Sequence, residues 1–198
     1  MVSIPMCAAC GAWGAGPLCE SCRQSLQLAP ERITPAGVLA RAAFRHEGTA
    51  RLLVHELKYR AAVRNATLLG NPMAALVPGE ARVLVPLPRS VLRRVRYGVD
   101  PAVELAHSVG RIVGLPVIHA FAASLWWPSH AGTGHRATVR FTPIRTVPDG
   151  ALLVDDVVTT GLTIDSAVQS ITGHVVGALL ATASAKIGSA RDRHSDDH

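Results

Sequence analysis

One stretch narrows the fold of this chain more than any other: Leu152-Leu-Val-Asp155-Asp156-Val-Val-Thr159-Thr160-Gly161-Leu-Thr163. An apolar strand from Ala151 to Asp155 runs into two adjacent carboxylates and turns over Thr and Gly. It then enters a helix, Ile164 to Ile171, with Ile164, Ala167, Val168 and Ile171 at helical spacing. A continuous apolar strand is one buried on both faces, the habit of a parallel sheet covered by helices. Further strands are expected at Val38 to Phe44, Val83 to Val85, Val117-Ile118 and Val175 to Ala181. Helical faces separate them: Thr49 to Lys58 with Leu52, Leu53 and Leu57, Ala66 to Leu76 around Pro72, and Ala102 to Ile112. Asp100-Pro101 reads as the start of that last helix, the carboxylate accepting orphan N–H groups and the ring fitting the first turn. Strands alternating with helices predict an α/β fold, a parallel sheet flanked by helices. Charged residues at 17% and apolar residues at 48% exclude a disordered chain, and aromatics at 4% leave the core to Ala, Val, Leu and Ile.

The carboxyl ends of parallel strands are where ligands bind, so the turn after Asp156 faces a site. A helix start offers unpaired N–H groups and a partial positive charge that suit a phosphate. Thr159, Thr160 and Thr163 add hydroxyl donors, and Gly161 allows close backbone approach. Asp155 and Asp156 can accept hydrogen bonds from a vicinal diol, and one can help hold Mg²⁺ through water. A diol plus a phosphate describes a ribose 5-phosphate.

All four cysteines fall within the first 22 residues, as Cys7-x-x-Cys10 and Cys19-x-x-Cys22 with eight residues between the pairs. Two such knuckles close a tetrahedron around Zn²⁺, with Gly11, Gly14, Gly16 and Pro17 allowing the turns. Two disulfides or a redox pair at a helix start are the alternatives. Four protein ligands leave no open position, so this Zn²⁺ would hold a fold and do no chemistry. The expected organisation is a zinc knuckle over 1–27, a linker over 28–35, the α/β domain over 36–188 and a disordered tail over 189–198.

The net charge of +6 suits a phosphate-rich small molecule, nucleic acid or anionic lipid. Arg89, Arg93, Arg94 and Arg96 gather directly after the Val83 to Pro88 strand end. No apolar run is long enough to cross a bilayer, and the opening residues lack a basic start followed by an apolar segment, so no membrane partner and a cytoplasmic location are expected. Trp126 to Arg140 has no period, carries Gly132 and Gly134, and reads as a long loop of the kind that forms lids.

These motifs together resemble the ComF family within the type I phosphoribosyltransferases. The four-Cys knuckle, Leu57-Lys58-Tyr59-Arg60, Val85-Pro86-Leu87-Pro88 with its basic stretch, and the acidic Thr/Gly loop occur in that family's order over nearly the whole chain. The resemblance implies that Asp155 and Asp156 hold the ribose hydroxyls of phosphoribosyl pyrophosphate (PRPP) and that Thr159 to Thr163, Gly161 included, hold its 5-phosphate. Pro86, Leu87, Pro88 and Arg89 would form the turn for pyrophosphate. Mg²⁺ and some of Arg89, Arg93, Arg94 and Arg96 would neutralise the leaving group, and Arg136 or His135 would be delivered by the lid as the catalytic cation. The implied activity is phosphoribosyl transfer to a nitrogenous acceptor. The alternatives are an accessory protein in DNA uptake that contacts nucleic acid through the knuckle and arginines, and a PRPP sensor without turnover. A homodimer is compatible with each. Two positions depart from the family pattern: Asp100 stands where the family carries Asn, and Val139 stands three residues after Arg136 in place of another Asn. Where some relatives carry an acidic residue that acts on the base, this chain has Thr159.

Overall fold

The computed structural model describes residues 6–14, 16–124 and 140–184. The strongest apolar runs become its central strands. β1 (Arg32–Ile33), β2 (Leu39–Arg45), β3 (Val83–Pro86), β6 (Ala151–Val158) and β7 (Val175–Ala183) form one sheet in the order β1-β2-β7-β6-β3, all parallel except the β1 edge. Phe121–Ala122 (β4) and Thr142–Pro143 (β5) make a separate antiparallel pair, and Val117 contributes only a single bridge to Leu84.

Helices α2 (Gly48–Arg60), α3 (Arg64–Ala74) and α5 (Pro101–Val113) cover one face, where Leu53, Leu57, Leu69, Met73 and Leu105 meet Leu152, Val154 and Leu179. The other face packs Leu153, Ala178 and Leu180 against Ile164 and Ala167 of α6 (Leu162–Ser170) and against Phe121 and Phe141. The helix expected at Thr49 to Lys58 uses Ala50, Leu53, Val54 and Leu57 as its buried row, while Leu52 is exposed. Gly70 lets α3 close onto α5, since a Cβ there would lie 2.4 Å from Ser108 Oγ.

Residues expected as a linker, 28–35, are hydrogen-bonded along the sheet: Ala29 N–H donates to Ala43 O, Leu28 bridges Phe44, and β1 pairs with β2. The knuckle also touches the main core. Ala8 is buried among the residues packed on α2, Leu18 and Leu26 pack against them, and Ser25 Oγ lies 2.7 Å from Thr49 Oγ1 at the start of α2.

Candidate functional site

Strand register opens the site. Pro86, the last residue of β3, pairs with Val154, whereas β6 continues past it to Val158 beside Thr182 and Ala183 of β7. The strand therefore does not end at Asp155. Asp155 and Asp156 extend beyond the end of β3, and because side chains alternate in a strand they continue opposite rows. Asp156 follows Leu152 and Val154 toward α2, and Asp155 follows Leu153 toward the α6 face.

Asp156 is buried and meets a cation to which the sequence motifs assign no role. Lys58 Nζ lies 2.8 Å from Asp156 Oδ1, with side-chain exposures of 21% and 12%. Burial alone would push the Lys58 ammonium down, but Asp156 outweighs it and holds Lys58 above the usual lysine range. The sequence does carry a signal for this pair: Lys58 is four residues after the buried Val54, a charge on the helix's apolar row. Asp155 Oδ1 accepts the N–H of Asp156 at 2.8 Å. Burial first, and then the charge of Asp156, push its carboxyl up to about 8. The proton is thus retained longer in the folded chain than in the unfolded one, so this group makes the fold less stable as pH rises from about 4 to 8. Asp155→Asn should therefore raise the melting temperature of the ligand-free protein by a few degrees at pH 8.5 and leave it nearly unchanged at pH 4. Melting curves at both pH values check this, and equal shifts would refute it.

The Thr/Gly turn follows at the end of β6. Gly161 has φ +81°, and a Cβ would lie 2.7 Å from Thr34 Cγ2, so the close approach this glycine permits is to Thr34. Thr34 Oγ1 donates to Asp165 Oδ1 in the first turn of α6, and Ala36 N–H donates to Asp165 Oδ2 at 3.2 Å. This clasp, for which the sequence holds no local signal, ties the start of α6 to the residues after β1. No side chain caps α6, and the hydroxyls of Thr159, Thr160 and Thr163 have no hydrogen-bond partner among the described residues, which leaves donors at this helix start.

The turn expected to hold pyrophosphate is already heavily bonded. Pro86 and Pro88 have no N–H, Leu87 is buried and donates to Val154 O at 2.9 Å, and Arg89 N–H donates to Asp100 Oδ2 at 2.9 Å. The Arg89 guanidinium donates to Lys58 O at 2.7 Å and lies 5.6 Å and 5.2 Å from the ring centroids of Tyr59 and Tyr97. Arg89 thus fastens the end of α2 to the short helix α4 (Val91–Tyr97). Arg93 and Arg94 stand exposed on α4 with no acidic partner within ion-pair distance among the described residues. Asp100 precedes α5 as expected, but its carboxylate does not cap that helix; it takes the Arg89 N–H, and Asp100 Oδ1 is buried without a partner. Arg136, His135 and the lid expected at Trp126 to Arg140 lie outside the described residues, apart from Arg140 itself, as does the tail expected at 189–198.

At the amino end, all four cysteines are free and their sulfurs lie within 4.8 Å of one another, with Cys10 Sγ and Cys19 Sγ 3.7 Å apart. Cys19 sits at the N-cap of α1 (Glu20–Gln24), the position a redox pair would use, but convergence of four thiols fits a metal such as zinc. Burial raises the Cys7 thiol, yet backbone N–H groups of Cys10, Cys19 and Ala9 outweigh that and bring it down to about 6. Burial pushes Cys22 up to about 12. A bound cation would deprotonate all four and remove this asymmetry. No helix among the described residues is long and apolar enough to cross a membrane. Neither protein-family models nor curated proteins give a match to the chain.

Proposed function

We propose that this chain is a type I phosphoribosyltransferase-like protein of the ComF kind, which binds PRPP with Mg²⁺ and transfers the phosphoribosyl group to a nitrogenous acceptor. The observation that carries this reading is the juxtaposition at the open end of β6: two carboxylates, then an uncapped helix start whose three threonine hydroxyls are unbonded among the described residues. The carboxylates accept from the ribose hydroxyls, and the N–H groups and hydroxyls of Thr159 to Thr163 donate to the 5-phosphate. The oxygen donors of Asp155 and Asp156 suit Mg²⁺, held directly or through water, and the cation would supply positive charge to the departing pyrophosphate. Arg93 and Arg94 of α4 would add positive charge for that leaving group. The cysteine knuckle is the structural Zn²⁺ site of this reading.

Titration of PRPP with and without Mg²⁺ tests it. Asp156→Asn should weaken PRPP by at least roughly tenfold, about 1.4 kcal/mol, since the ribose diol loses an acceptor. Unchanged affinity in both Asp155→Asn and Asp156→Asn would place the ribose elsewhere. A screen of nitrogenous bases for pyrophosphate release then separates transfer from a PRPP sensor. The sensor reading is favoured by one observation, that Asp100, at a family amide position, spends one oxygen on Arg89 N–H and leaves the other buried.

A further inference from the structure

Beside the acidic pair, at the carboxyl ends of β2 and β7, lies a cavity of about 140 Å³ lined by Pro30, Arg32, Arg45, His46, Glu47 and Ala183. Arg32 and Arg45 stand together in this lining, and neither has a carboxylate partner within 4.0 Å among the described residues. Arg32 spends one N–H on Ser184 O at 2.6 Å, and burial together with the like charge of Arg45 holds its guanidinium below the usual arginine range. Two neighbouring guanidinium groups favour a bound anion. Glu47 offsets one of the two charges, which leaves room for a monoanion and disfavours a phosphate dianion.

His46 ties the cavity to the backbone of Asp156. His46 Nδ1 lies 2.8 Å from Thr182 Oγ1, and Thr182 donates its single proton to Asp156 O at 3.3 Å. Thr182 Oγ1 therefore accepts from Nδ1–H, and the His46 Nε2 lone pair has no partner among the described residues. The site thus offers guanidinium donors for a carboxylate, with the His46 imidazole in the same lining. Its volume is well below the roughly 300 Å³ at which pockets for drug-sized molecules begin, so it accommodates one small group.

We propose that this cavity is an acceptor subsite, in which Arg32 and Arg45 bind the carboxylate of a small nitrogenous acid while His46 faces its ring. The inference rests on the phosphoribosyl-transfer reading for its purpose, although not for its chemistry. Nicotinate and nicotinamide, matched in shape and differing in charge, serve as probes by calorimetric titration of the full chain. The acid should bind at least roughly tenfold tighter than the amide, and Arg45→Gln, an exposed change that the fold tolerates, should shrink that ratio to about threefold or less. Arg32→Lys should shrink it too, because a point charge replaces the fork. An acid that binds no tighter than the amide, or a preference that survives both substitutions, would overturn the subsite. Melting curves with Mg²⁺ and PRPP run alongside. A protein that separates acid from amide but is not stabilised by PRPP keeps the anion site and loses the transfer reading; one stabilised by PRPP that does not separate them loses the subsite alone.

Discussion

Lys58→Met is expected to cost the ligand-free protein about 3 kcal/mol at pH 8. The ammonium and Asp156 are 2.8 Å apart and mostly withdrawn from water. Removing one partner of such a pair leaves an uncompensated charge, which is more costly than the pair was stabilising. The pH window of this contribution is set by Lys58. A lysine held above its ordinary range stabilises the fold fully below about pH 10.5, and that stability disappears as pH rises through the raised value. Urea denaturation at pH 8 decides the matter, and a loss under about 1 kcal/mol would show that Lys58 acts through packing of its stem alone.

The second large effect is expected at the knuckle. Protein purified without added metal should carry close to one Zn²⁺ per chain by elemental analysis, and Cys10→Ser should abolish it. A small cysteine-bound segment takes most of its folding free energy from the metal. Here the loss reaches further than the segment, because Ala8, Leu18 and Leu26 share the apolar cluster of Leu53 and Leu57. Uncovering that patch should lower the stability of the whole fold by roughly 2 kcal/mol, seen as a drop of several degrees in the main thermal transition. Folded, reduced protein with a zinc content near zero would end this expectation. A main transition unmoved by chelation would show the knuckle to be energetically separate.

Elements carried by periodicity are legible in the sequence. β2, α2, α3, β3, α5, β6, α6 and β7 each lie within a few residues of the runs that announce them, because burial on two faces or along one stripe is a local property of sequence. Spatial order is not legible in the same way. Nothing in the sequence of Val38 to Phe44 says that this strand pairs with Val175 to Ala181, far along the chain, yet that pairing places His46 beside Thr182 and Asp156. Long-range polar contacts are equally hidden. Asp100 has the look of an N-cap, and its carboxylate instead serves Arg89 eleven residues earlier. Arg89 has the look of a free cation, and its guanidinium is spent on Lys58 O and two tyrosine rings. Segment 28–35 has the composition of a connector; its backbone groups find partners only once β2 is present to receive them.

Helix α2 has a consequence for how the two ends of the molecule are coupled. Its first turn meets Ser25 beyond the cysteines, and its last turn delivers Lys58 to Asp156. Thirteen residues of α-helix form a rod of roughly 20 Å between them. On the proposed reading, with Zn²⁺ on the thiolates and a sugar phosphate on the carboxylates, any coupling along this rod makes the two occupancies linked equilibria. By reciprocity, whatever factor zinc adds to the affinity for the sugar phosphate, the sugar phosphate adds to the affinity for zinc. Oxidation of the knuckle would accordingly be felt as a weakened ligand, and a saturating ligand would slow the escape of the metal to a chelator.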